Sequence, residues 1–153
     1  MTTTAEPPVQ VELDVPLTSF TAEYPYVPES AALARWLVDA ALAGWELFDL
    51  IDSAVLVVSE LVTNAIETAC CRKLGLSIQR LGECTVRITV SDGSCSLPVF
   101  VDAGLPAGPD HVPLRGRGLL VVNRLAHRWG VNLYACGKDV WAELRLRPQS
   151  RAR

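Results

Sequence analysis

Ser59-Glu60-Leu61-Val62-Thr63-Asn64-Ala65 lies inside the long segment Asp49 to Ala69, and the reading of that segment decides the fold. At about 100° per residue, Ile51, Val55, Val58, Val62, Ala65 and Ala69 fall on one stripe, the core face of a helix. Asp49 is the expected N-cap, and the helix is expected to run to about Cys71. Glu60 and Asn64 sit one turn apart on roughly the opposite side. Leu56 and Val57 lie one turn before Glu60, so this second side suits the wall of a cleft better than open water. A carboxylate and an amide so placed can hold a hydrated divalent ion through oxygen, and the carboxylate can also orient a nucleophile. Spacing alone fits a solvated pair on a surface helix more often.

Outward from this helix the chain alternates strands and helices. Val11 to Tyr26 alternates loosely, the pattern of one or two half-buried strands. Ala31 to Ala43 is rich in Ala and Leu and ends at Gly44, a first helix. Gly75 to Gly82 reads as a polar connection. Cys84 to Ser91 and Leu97 to Val101 are expected strands. Ala103 to Arg115 holds Pro106, Pro109 and Pro113 and reads as a long loop, of a length more often functional than accidental. Gly116-Arg117-Gly118 opens a short helix, Leu119 to Arg128, whose N-terminus suits an anion. Trp129 to Cys136 and Val140 to Leu146 form a hairpin turning at Gly137-Lys138. Arg124 and Arg128 are expected on the solvated face of the short helix. The order predicts an α+β fold: a two-layer sandwich with a mixed, mostly antiparallel sheet and helices on one face. The expected divisions are a flexible segment 1–10, one domain 11–146 and a basic tail 147–153.

The composition excludes several classes. The chain has 153 residues, 14 Lys+Arg against 17 Asp+Glu, and is 50% hydrophobic. That suits one compact domain and supplies no general field for nucleic acid, so no direct nucleic-acid contact is expected. Met1 to Pro8 has neither the basic nor the apolar region of a signal peptide, and no apolar run approaches the roughly 20 residues of a membrane span. Cys70, Cys71, Cys84, Cys95 and Cys136 have no metal-ligand spacing and read as reduced, buried residues of a cytoplasmic protein. Trp36, Trp45, Trp129 and Trp141 read as core or interface anchors. The apolar excess leaves room for a homodimer interface.

Four segments, in order, resemble the motifs of the GHKL (Bergerat-fold) histidine-kinase-like ATPases. Asp49 to Ala69, with its core Ser59 to Ala65, resembles the N-box, and Val90-Ser91-Asp92-Gly93 looks like the G1 box. Arg115 to Val122 looks like the G2 box, and Trp129-Gly130-Val131 with Gly137 to Leu144 is similar to the closing hairpin. The resemblance spans roughly Phe20 to Leu146 and is to the small stand-alone regulators related to anti-sigma-factor serine kinases, abundant in actinobacteria. It implies ATP and Mg²⁺ as cofactors. Asn64 would ligate the Mg²⁺, and Glu60 would be the catalytic base or polarise the attacking hydroxyl. Asp92 would accept from the adenine amino group, Gly93 would let the backbone approach the base, and Gly116, Arg117, Gly118 and Leu119 would line the phosphate end. Ala103 to Arg115 would be the lid. The implied reaction is γ-phosphoryl transfer to a serine of an anti-anti-sigma (STAS-type) protein, with a sigma factor as a further partner. The alternative is a degenerate module of the same fold that binds a regulatory partner without nucleotide turnover.

This chain departs from the pattern in three places. The G1 box runs Asp92-Gly93-Ser94-Cys95-Ser96, without a second glycine. Ile66-Glu67-Thr68-Ala69 lacks the His that relatives often place there. Asp139 stands where many relatives carry a Thr that helps hold the adenine-binding water. Were Asp139 to face Asp92, two carboxylates would repel and adenine affinity would fall.

Overall fold

The computed structural model describes residues 18–68, 73–93 and 117–147. Within them run β1 (Ser19–Tyr24), α1 (Glu29–Gly44), α2 (Ile51–Glu67), β2 (Leu74–Arg80), β3 (Thr85–Asp92), α3 (Arg117–Leu125), β4 (Arg128–Tyr134) and β5 (Gly137–Arg145). The strands form one sheet in the order β1-β2-β3-β5-β4. All four pairings are antiparallel, so the parallel component of a mixed sheet does not occur among the described residues. The α+β sandwich stands as expected. The segment 1–10, Val11 to Leu17, the helix end beyond Thr68, the strand Leu97 to Val101, the lid Ala103 to Arg115, Gly116, and the tail from Pro148 lie outside the described residues, as do Cys70, Cys71 and Cys95.

Period-two burial builds the core side of the sheet. Leu74, Leu76 and Ile78 of β2, Val86, Ile88 and Val90 of β3, and Val140, Ala142 and Leu144 of β5 are buried together against the helices. Helix α2 packs against both α1 and α3 as well as the sheet. Its buried arc is therefore wide, taking in Ala54, Val57, Val58, Leu61, Val62 and Ala65. Val58, Val62 and Ala65 are on the expected stripe, whereas Ile51 and Val55 are only half-buried, because the arc is centred toward the two neighbouring helices. Ala69 lies outside the described residues.

Several boundaries are corrected. Asp49 is not an N-cap: it sits in a 3-10 turn, Phe48–Leu50, which runs straight into α2 without a side-chain cap. Gly75 to Arg80 is strand, not connection. Leu74, Leu76 and Ile78 point to the core while Gly75, Ser77 and Gln79 face away, so the polar appearance is that of a half-solvated strand. Arg128 begins β4 rather than ending α3, and the hairpin turns at Ala135-Cys136, with Gly137 already in β5. Cys84 and Cys136 are free but exposed, because both fall in turns. Trp36 is 70% exposed and belongs to no core. No helix among the described residues is long and apolar enough to cross a membrane.

Candidate functional site

The topology gathers the motif residues at one end of the sandwich. Helix α3 runs antiparallel to α2: Arg124 and Leu125 at its C-terminus line a groove with Asp49, Leu50 and Ser53 at the start of α2. The first turn of α3 therefore points to the C-terminal half of α2, where Glu60 and Asn64 lie. Strand β3 ends at the same edge. There Asp92 pairs in register with Lys138 at the start of β5, and the Gly93 N–H donates to the Tyr26 hydroxyl at 3.2 Å, just ahead of α1.

On α2, Glu60 and Asn64 are both half-buried, one turn apart. The Asn64 carbonyl accepts from the Thr68 hydroxyl at 3.2 Å, which closes the last turn and leaves the side-chain amide to other partners. The apolar wall expected before Glu60 is only half present, since Val57 is buried but Leu56 is 53% exposed. Arg117 and Gly118 open α3, and Leu119 in its first turn is fully buried. The Leu119 side chain is thus a packing group, and what it offers a ligand is a first-turn backbone N–H. Gly116 lies outside the described residues.

Asp92 is buried on the helix side of the sheet, and its carboxylate Oδ2 is 3.3 Å from the Lys138 ammonium. The two side chains are 2% and 4% exposed. The feared opposition of Asp92 and Asp139 does not occur. Successive strand residues face opposite sides, so Lys138 shares the inner face with Val140, Ala142 and Leu144, and Asp139 faces out. There the Tyr134 hydroxyl donates to Asp139 at 2.9 Å, and this bond to an anion raises the phenol's pKa. Gly137 makes the close approach possible. Its φ is +151°, and a Cβ there would lie 2.1 Å from the Asp92 carbonyl oxygen. The sequence names Gly137 and Lys138 only as a hairpin turn and Tyr26 only as the end of a strand segment, with no site role for any of the three. The signal for Lys138 was the alternation of β5 itself.

The outer face carries a second ionic cluster. Glu143 on β5 is buried and accepts from two guanidinium groups, Arg87 on β3 and Arg128 on β4. Arg128 is thus held by an acid of its own sheet, not set on a solvated helix face. Its hydrogen bond, with the help of Arg87 and against the opposing effect of burial, holds the Glu143 carboxyl below the usual carboxylate range. Both guanidiniums lie over the Trp141 ring, 4.7 and 5.6 Å from its centroid. Beneath the ring, a Cβ on Gly130 would come within 2.7 Å of it.

The residues at the inner end fit a nucleotide with a divalent ion. Glu60 and Asn64 offer the oxygen donors a hard cation takes, and the first turn of α3 offers N–H groups to an anion. Among the described residues no cluster of three His, Cys, Asp or Glu side chains converges on a point. In sequence, neither a protein-family profile nor a curated protein matches the chain. In structure, the chain is similar to the RsbU and RsbW domains of Rv1364c from Mycobacterium tuberculosis, at a TM-score of 0.61 and 20% identity. The alignment covers 85% of this chain and 33% of that one, so this chain spans about a third of its neighbour. That likeness establishes a shared fold.

Proposed function

We propose that this chain is an ATP- and Mg²⁺-binding regulatory protein of the anti-sigma-factor serine/threonine kinase type, acting in the cytoplasm to control transcription by phosphorylating or sequestering a regulatory partner, an anti-anti-sigma (STAS-type) protein and/or a sigma factor. The observation that carries this reading is the convergence of Glu60 and Asn64, of Asp92 and Gly93, and of the first turn of α3 at one end of the sandwich. The order of the motifs along the chain and the fold shared with the RsbU and RsbW domains of the mycobacterial protein support it.

In this reading the Asn64 amide oxygen holds the metal. Glu60, one turn earlier, polarises the attacking serine hydroxyl. The backbone N–H groups of Arg117, Gly118 and Leu119, with Gly116 before them, receive the phosphates. Asp92 is the acceptor at the base end. Bound Mg²⁺ supplies charge neutralisation at the transferred phosphoryl group. Calorimetric titration with ATP tests the site: the expected result is Mg²⁺-dependent micromolar binding that Asn64→Ala abolishes, and absence of heat up to millimolar ATP would end the reading.

A second reading keeps the partner and drops the turnover. It draws on the exposed Leu33 and Trp36 of α1 and Leu56 of α2, large apolar side chains on the helix layer that suit a protein contact. An intact partner complex that forms equally with and without ATP, and yields no phosphoserine, would favour it.

A further inference from the structure

Lys138 stands out among the charged groups of the described residues because it is buried with so little to hold it. Its side chain is 4% exposed, and among the described residues its one ionic partner is Asp92, at 3.3 Å. An ammonium carries three N–H donors, and a buried cation left with spare donors is costly unless acceptors complete its shell. Glu143 shows the contrast within the same sheet: its carboxylate is fully engaged by two guanidiniums.

Resting on the nucleotide reading above, we infer that Lys138 is a base-reading residue: with Asp92 it presents a donor and an acceptor side by side to the Watson–Crick edge of a purine. For adenine the Asp92 carboxylate accepts from the exocyclic amino group, and the Lys138 ammonium donates to ring nitrogen N1. Lysine thereby does directly what a strand hydroxyl would do through a bound water. Lys138 also orients Asp92 through the ion pair. The register that brings the two together depends on Gly137, since a side chain there would collide with the Asp92 carbonyl.

The test compares ATP with two analogues on the full chain. 1-Deaza-ATP lacks the N1 acceptor, and 7-deaza-ATP keeps it. The wild-type chain should bind ATP and 7-deaza-ATP alike and 1-deaza-ATP roughly tenfold more weakly, the worth of one hydrogen bond from a charged donor. In Lys138→Met that discrimination should vanish. Should the single variant fail to fold, Asp92→Asn combined with Lys138→Met removes both charges, and the wild-type comparison stands without either variant. Equal binding of ATP and 1-deaza-ATP by the wild type would overturn the inference and leave the nucleotide reading intact. Binding of ATP by Lys138→Thr but not by the wild type would also overturn it, by making Lys138 a plug. Failure of both chains to bind any of the three nucleotides would remove the nucleotide reading and the inference together.

Discussion

Two buried carboxylates sit on the central strands of this sheet, Asp92 on the inner face at one end and Glu143 on the outer face, and their surroundings differ in kind. Glu143 is clasped by Arg87 and Arg128, whose planar forks supply several donors and whose side chains remain 33% and 61% exposed. Asp92 is paired with the Lys138 ammonium, which is itself almost wholly buried. The first cluster completes itself with groups that can fall back into water, which suits a brace across β3, β5 and β4. The second is closed off from water, with the Asp92 carboxylate the ammonium's one ionic partner among the described residues. A buried charge on a strand therefore says little by itself; how its hydrogen-bonding capacity is completed separates a brace from a site.

That contrast can be broken or sharpened by substitution. Asp92→Asn strands a buried ammonium and should cost about 4 kcal/mol in urea unfolding, as expected when one partner of a buried pair is removed. Adding Lys138→Met to it should return most of that loss, because an apolar isostere no longer needs a counter-charge. A double variant no more stable than Asp92→Asn alone would mean that the two side chains do not interact. Gly137→Ala should cost about 3 kcal/mol, from a φ that L residues rarely adopt and from the collision with Asp92. Glu143→Gln should cost about 2 kcal/mol, less than Asp92→Asn because the two arginines can rehydrate.

The pH response sharpens the same point. Glu143 has its folded-state pKa lowered, chiefly by the hydrogen bond from Arg128. Its contribution to stability is therefore complete above the unfolded-state pKa of about 4.3 and is lost as pH falls below that through the lowered value. In acid unfolding between about pH 5 and 2, Glu143→Gln should give a flatter stability curve than the wild type. A parallel curve would mean the carboxyl gains nothing from its arginines. The smallest effect is expected at Trp36→Ala, within about 0.5 kcal/mol in stability, because the indole is mostly in water. A large loss there would place Trp36 in the core after all.

Much of this was legible in the sequence, for physical reasons that also mark where it was not. Helix α2 announces itself because 17 residues of helical periodicity have no rival reading. Strand β2 was hidden by its glycine: Gly75 and the polar Ser77 and Gln79 look like a loop unless Leu74, Leu76 and Ile78 are counted at every second position. The same period governs β5. Val140, Ala142 and Leu144 fix the inner face, and that alone assigns Lys138 inward and Asp139 outward. Motif matching put weight on Asp139, one residue away, and in a strand one residue is the other side of the sheet. The Arg87–Glu143–Arg128 cluster joins three strands far apart in sequence and shows only once their register is known.

The most direct test of the central claim is a backbone-amide NMR titration of the chain with ATP and Mg²⁺. The account predicts large shifts at Glu60 to Thr68, Asp92 and Gly93, Arg117 to Leu119, and Gly137 and Lys138, with Arg87, Arg128 and Glu143 unmoved. Shifts confined to the outer face, or none at all, would contradict it.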